Sequence, residues 1–196
     1  MSSLNVNTIN EYTSANGVTI DGVLIKDGNV DGVDVSGITQ GITMADAWRI
    51  TSNFTFDSPN GVVDTNWERI DTDGYGTIGT GLTESSGVFS FPQTGIYRIF
   101  LAYSFITGGG DASVFVTIET TTNNSAYSNA SGQLNFVTST ANMYNAGAHS
   151  FIFDVTDIST HKFRILNGII TGTAPALRGN TDTTETGIQV IRLGDT

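Results

Sequence analysis

His149 and His161 are the only imidazoles in the chain, and cysteine is absent. Either histidine could serve as a general base or a metal ligand, yet neither stands in a His-x3-His spacing, and Gly-x-Ser-x-Gly is absent. A Ser-His-Asp triad is defined by geometry and not by chain order, so counting residues leaves it open. The expectation is that both histidines lie at the surface or at strand ends. Asp71, Asp73, Asp154, Asp157 and Glu185 are the carboxylates from which a glycoside-cleaving pair would have to come, but no spacing selects two of them. Asp71-Thr-Asp-Gly74 begins like a calcium loop. Its twelfth position, where a bidentate glutamate is needed, is Leu82. A plain Asp-Gly turn is expected there, so no catalytic, metal or cofactor residue is assigned. A structural cation on Asp-rich turns is the one exception kept open. The chain is expected not to be an enzyme.

Recognition chemistry has better candidates. Trp48, Phe54, Phe56, Trp67, Tyr75 and Tyr103 could stack on sugars, but on strands their expected place is the core or a subunit interface. Loops on a rigid scaffold carry variable contacts. The polar stretches 108–111, 121–131 and 171–186 therefore supply the candidate recognition residues Gly108, Asp111, Asn123, Asn124, Tyr127, Arg178 and Asn180.

Composition narrows the partners. Only 8 Lys+Arg stand against 19 Asp+Glu, for a net charge of −11, and nucleic-acid binding needs a clustered basic face. Charged residues make up 14% of the chain, against about 25% in an average domain. Ser, Thr, Asn and Gly fill the surface instead, with Val, Ile, Phe and Tyr inside, a β-protein composition. The first residues have no basic and apolar leader pattern, and no apolar run reaches membrane-spanning length, so neither a secretory signal nor a membrane span is expected. The Asn-x-Ser/Thr triplets at Asn53, Asn123 and Asn129 are what chance gives in so Asn- and Thr-rich a chain.

The elements that would position these loops are strands. Residues 96–106 are nearly continuous in apolar character, as a central strand should be, and Val114, Val116 and Ile118 alternate on one face. Further strands are expected at 48–56, 62–70, 87–91, 133–140, 148–155, 161–166 and 187–193, with a weak one at 75–82. No window has a 3.6-residue period, so the expected fold class is an all-β sandwich.

Residues 16–38 differ. Asp21-Gly22, Asp27-Gly28 and Asp31-Gly32 interrupt Val18, Ile20, Val23, Ile25, Val30, Val33, Val35 and Ile38. Strands of two or three residues are expected, joined by turns that glycine and aspartate favour. One such ribbon has too little apolar surface to offset the entropy of ordering it, so several copies are expected to share a centre. The organisation read from the chain is an arm at 1–15, a β stem at 16–43 and a knob at 44–196.

Phe89, Gly95 and Tyr97 match in spacing the Phe, five residues, Gly-x-Tyr pattern of the complement component 1q globular domain, which shares its jelly roll with tumour necrosis factor. Leu82 fits the apolar position seven before Phe89, and Gly187 opens the last hydrophobic strand. Ile99 and Leu101 replace aromatics, Thr77 and Asp71 depart from the upstream pattern, and Glu185 replaces a phenylalanine. The resemblance implies a jelly roll that forms compact homotrimers, presents loops and does not catalyse. Residues 13–28 resemble segments of tail-fibre, head-fibre and decoration proteins of aquatic bacteriophages. That likeness implies a trimeric stem and knob on a virion, with the arm attached to other virion proteins and the knob adhering to a host-surface glycan or protein. The alternative is a decoration protein that stabilises the particle without binding a receptor. A glycan-processing spike enzyme and a bacterial adhesin stand further off.

Overall fold

The computed structural model describes residues 18–20, 23–26, 29–30, 33–34, 41–56, 60–109, 112–137, 140–172 and 175–196. The chain divides into two units, Met1–Gly41 and Ile42–Thr196. In the first, β1 (Val18–Ile20), β2 (Val23–Lys26), β3 (Asn29–Val30) and β4 (Val33–Asp34) form an antiparallel sheet in chain order. Val18 lies opposite Ile25, Ile20 opposite Val23, Ile25 opposite Val30, and Val30 opposite Val33. The aliphatic residues of the ribbon are thus register partners. Val35, Ile38, the three Asp-Gly turns and the arm at 1–15 lie outside the described residues.

The second unit starts from alternation. In β11 (Gly95–Ile106) every second residue is buried, and Tyr97, Ile99, Leu101, Tyr103 and Phe105 form a continuous inner row. The remaining strands are β5 (Ala45–Ile50), β6 (Phe54–Thr55), β7 (Asn60–Val62), β8 (Trp67–Arg69), β9 (Thr83–Ser85), β10 (Val88–Ser90), β12 (Ala112–Thr121), β13 (Ser128–Val137), β14 (Tyr144–Val155), β15 (Lys162–Gly172), β16 (Ala176–Leu177) and β17 (Gly187–Gly194). One sheet runs β6-β16-β11-β17-β5-β8, with β14 also on β11. The other runs β13-β12-β15-β10-β9, with β7 also on β15. Every pairing is antiparallel.

Between the sheets lies an aromatic and aliphatic core. Phe89 stacks on Phe163 at 5.0 Å, and Trp48 and Trp67 meet Phe89 edge-on. Two motif glycines are fixed by space. A Cβ on Gly95 (φ 147°) would lie 2.6 Å from the Gly194 carbonyl oxygen, and one on Gly187 would lie 2.5 Å from that of Trp48.

Several expectations about the elements are corrected. Residues 75–82 are not a strand; one bridge, Ala45 to Ile78, holds them, together with side-chain bonds to Asp46. Residues 62–70 split into β7 and β8 around Asn66, which has a positive φ of 67°. The loop read at 121–131 is only 122–127, because β13 starts at Ser128. The stretch 171–186 is not wholly exposed, since β16 lies within it and Leu177 is fully buried.

Candidate recognition site

A two-residue turn at Ser86-Gly87, both with positive φ, joins β9 to β10. Ser90 lies opposite both Thr83 and Lys162, and Val88 opposite both Ser85 and Arg164. Phe89 between them is fully buried, so Val88 and Ser90 face out of the sandwich. Two cross-strand rows result: Thr83·Ser90·Lys162 and Ser85·Val88·Arg164.

Past β12 the chain folds back over these rows. Asn123 Oδ1 accepts from the Thr121 hydroxyl at 3.0 Å, from the Ser125 N–H at 3.0 Å and from the Ala126 N–H at 2.8 Å, an Asx turn. Asn124 adopts φ 56°, and its N–H donates to the Thr160 carbonyl at 3.0 Å, tying the turn to the β14–β15 connection. Arg164 sits 4.0 Å from the centroid of the Tyr127 ring and donates through Nε to Glu119 Oε2 at 2.7 Å. Between turn and hairpin lies a groove of about 330 Å³, lined by Thr83, Glu84, Ser85, Val88, Ser90, Asn124, Tyr127 and Lys162.

The charges of this groove are settled by its partners. Burial raises the Tyr127 phenol above its ordinary value, with Arg164 opposing and Glu119 adding, so the hydroxyl stays protonated and can donate. Glu84 Oε1 accepts from the Gly87 N–H at 2.6 Å. Arg49, Arg69, Arg164, Arg178 and Arg192 each pair with a carboxylate. Lys162 forms no ion pair among the described residues.

The other candidate recognition residues stand elsewhere. Gly108 belongs to the β11–β12 connection, at the opposite end of the strands, and Asp111 lies outside the described residues. Arg178 pairs with Glu185 at 2.5 Å, with its guanidinium 4.5 Å from the Tyr144 ring centroid. Asn180 Oδ1 accepts from the Asp182 N–H at 2.7 Å and the Thr183 N–H at 3.1 Å, another local turn. Register thus divides the candidates: Asn123, Asn124 and Tyr127 at one end, Gly108, Arg178 and Asn180 at the other. Thr83, Ser85, Ser90 and Lys162 were not among them. Their one sequence signal is the Thr83-x-Ser85 alternation, with Ser90 at the end of the next short strand.

Several of the candidate catalytic groups are occupied structurally. Arg49, nearly fully buried, binds Glu68, Thr72 and Asp71, so the Asp71 carboxylate is neutralised at 2.5 Å. Asp157 Oδ1 accepts from the Ser159 hydroxyl and N–H, which holds its carboxyl below the ordinary range. His161 sits at the start of β15, stacked 5.6 Å from the Phe153 ring. His149 is not at a strand end but within β14, half-buried. Its Nδ1 lies 3.1 Å from Ser131 Oγ and its Nε2 3.1 Å from the Val116 carbonyl oxygen. This is a Ser-His pair whose third member is a neutral carbonyl. Burial lowers the His149 pKa, which weakens it further as a base.

The sheet β5-β17-β11-β14 packed on β13-β12-β15-β10 is a jelly roll of the tumour necrosis factor type. Murine APRIL superposes with a TM-score of 0.56 at 12% identity, over 76% of this chain and 98% of APRIL. The TNF protein Eiger from S. frugiperda superposes with a TM-score of 0.57 at 12% identity, over 80% of this chain and 96% of Eiger. No family model and no curated protein matches the sequence.

Proposed function

We propose that this chain is a non-enzymatic virion structural protein. In this reading the second unit is a homotrimeric knob, the ribbon at 16–43 its stem, the arm at 1–15 its attachment to other virion proteins, and a host-surface ligand its target. The ribbon's likeness to phage fibre segments supports the setting, and the jelly roll supports the knob.

One flank of the sandwich carries the argument for assembly. Strands β13 and β14, ten and twelve residues long, each pair on one side only among the described residues. They face each other through Ser131–His149 and through Tyr103, whose hydroxyl meets Gln133 and Asn135. They carry large exposed apolar side chains: Leu134 is 63% exposed and Phe136 67% on β13, and Tyr144 61% and Ile152 53% on β14. Long unpaired edges with exposed apolar side chains are aggregation sites unless something covers them. The outer face of β11 and β14, which carries Tyr144 and Ile152, offers a counterpart to Leu134 and Phe136, with the small pairs Ala102·Ala148 and Ser104·Ala146 between Tyr144 and Ile152. Setting the flank of one copy on this face of the next is a head-to-tail contact, which closes into a ring when the rotation allows. Burying each large side chain would contribute about 2 kcal/mol.

Sedimentation equilibrium tests the assembly: the expected mass is three times 20.8 kDa. Leu134→Glu with Phe136→Glu should give monomers that keep the β signature. A monomeric wild-type chain would remove the basis of the reading. A decoration protein would instead show lost particle stability, with adsorption intact, when the chain is deleted.

A further inference from the structure

We infer that the groove between the β9–β10 hairpin and the 122–127 turn binds one sugar residue bearing a carboxylate, as in an acidic surface polysaccharide. This deepens the adhesive part of the proposed function and rests on it only for the biological setting. The groove stands on its own chemistry.

Three observations select the ligand. At about 330 Å³ the groove falls at the small end of ligand sites, which run from about 300 to 1,000 Å³, and so suits one ring with substituents. Its floor is two cross-strand rows, Thr83·Ser90·Lys162 and Ser85·Val88, which together place three hydroxyls and an ammonium beside one apolar side chain. These hydroxyls suit a polyhydroxylated ring, and the Asn124 side-chain amide at the rim and the protonated Tyr127 hydroxyl add donors that make no hydrogen bond within the described residues. Finally, in a chain of net charge −11 the groove holds Lys162, which forms no ion pair among the described residues, while the one carboxylate of the lining, Glu84, accepts from the Gly87 N–H. Arg164 beside it is already neutralised by Glu119.

One available cation calls for one negative charge. A phosphate monoester, carrying close to two charges, would ask for a second cation or a cluster of backbone N–H groups, and Glu84 at the wall disfavours extra anionic charge. A neutral sugar would offer the Lys162 ammonium hydroxyl acceptors but no opposite charge. Single-site affinity would be weak, and three linked sites on a trimer would raise it by effective concentration.

The test is titration calorimetry of the full chain with tri-galacturonate, its methyl ester and maltotriose. Tri-galacturonate should bind, and the two neutral probes should bind about tenfold more weakly or not at all, the scale of one charge-assisted hydrogen bond. Lys162→Gln should erase that preference, and Ser85→Trp should block every probe by filling the groove. Both variants should melt as the wild type does. Equal binding of ester and acid, or acid binding unchanged in Lys162→Gln and Ser85→Trp, would overturn the assignment. A correctly assembled trimer that binds no probe defeats the groove and spares the knob. A monomer that binds the acid spares the groove and defeats the knob.

Discussion

The Tyr97 hydroxyl donates to the carbonyl of Gln93 at 2.8 Å, bridging the corner that Gly95 turns between β10 and β11. The ring is fully buried against Phe91 at 4.5 Å, so the one polar atom of this side chain ties down the turn that leads into it. Burial raises the Tyr97 phenol pKa, with Arg192 and the Gln93 bond opposing. The hydroxyl therefore remains a donor across the physiological range. Tyr97→Phe keeps the packing and leaves the carbonyl without that donor. It should cost about 1 kcal/mol, read as a lower urea midpoint at unchanged slope. An unchanged midpoint would mean that the corner is held by packing alone.

Asp46 should matter more. Its carboxylate, with no exposed side-chain surface, accepts from the Ala47 and Leu82 N–H groups, Trp48 Nε1, the Tyr75 hydroxyl and Arg69. Asp46→Asn replaces one acceptor oxygen by a donor in a site filled with donors. Breaking such a buried set costs about 3–5 kcal/mol. Arg69 is 43% exposed, and solvent screening there places the expected loss near 3 kcal/mol, the low end. Because Tyr75 and Leu82 hang from this carboxylate, limited proteolysis should cut 71–82 first. Cleavage elsewhere, with 71–82 intact, would contradict its role as the anchor of that loop.

What the sequence revealed follows the same physics. β11 and β12 were legible because their inner residues are apolar and their faces alternate. β13 was cut short because its pattern is inverted: Ser131, Gln133 and Asn135 point inward to His149 and Tyr103, while Leu134 and Phe136 point outward. A polar run with stray hydrophobics reads as loop unless one knows that its outer side is an edge. The sequence at 75–82 reads as a weak strand, but the order there comes from Asp46, a partner about 30 residues away. The groove was half visible. Asn124 and Tyr127 sit in one polar turn, whereas Thr83, Ser90 and Lys162 meet only through strand register across 79 residues of chain.

His149 sets a pH dependence at the flank. Burial lowers its pKa below 6.5, with the bond to the Val116 carbonyl opposing. The neighbouring groups are the Tyr103 ring, the Ser131 hydroxyl and that carbonyl, none of them anionic. The unfolded chain, titrating near 6.5, then binds the proton more readily than the folded one. Stability from this group is complete above 6.5 and is lost as pH falls through the lower folded value. The melting temperature should drop between about pH 7 and 5, and His149→Gln should flatten that part of the curve. An NMR titration placing the His149 midpoint above 6.5 would reverse the sign and refute this.

The ribbon offers the last test. Its strands have two to four residues, below the usual length of about five or six, and an isolated small sheet is marginal in water. Its register nevertheless sets Val18 against Ile25 and Ile20 against Val23. If three copies share these aliphatic rows, burial between chains supplies what one ribbon lacks. Replacing Val23 and Ile25 by Asp puts two new carboxylates in each chain, so six in a trimer, into that shared centre. The ribbon should then become sensitive to protease, while the unit Ile42–Thr196, which has its own core, melts as before. Calorimetry with mass spectrometry of the fragments separates the two effects. A ribbon that resists protease after the double change would show that its order does not come from burial between copies.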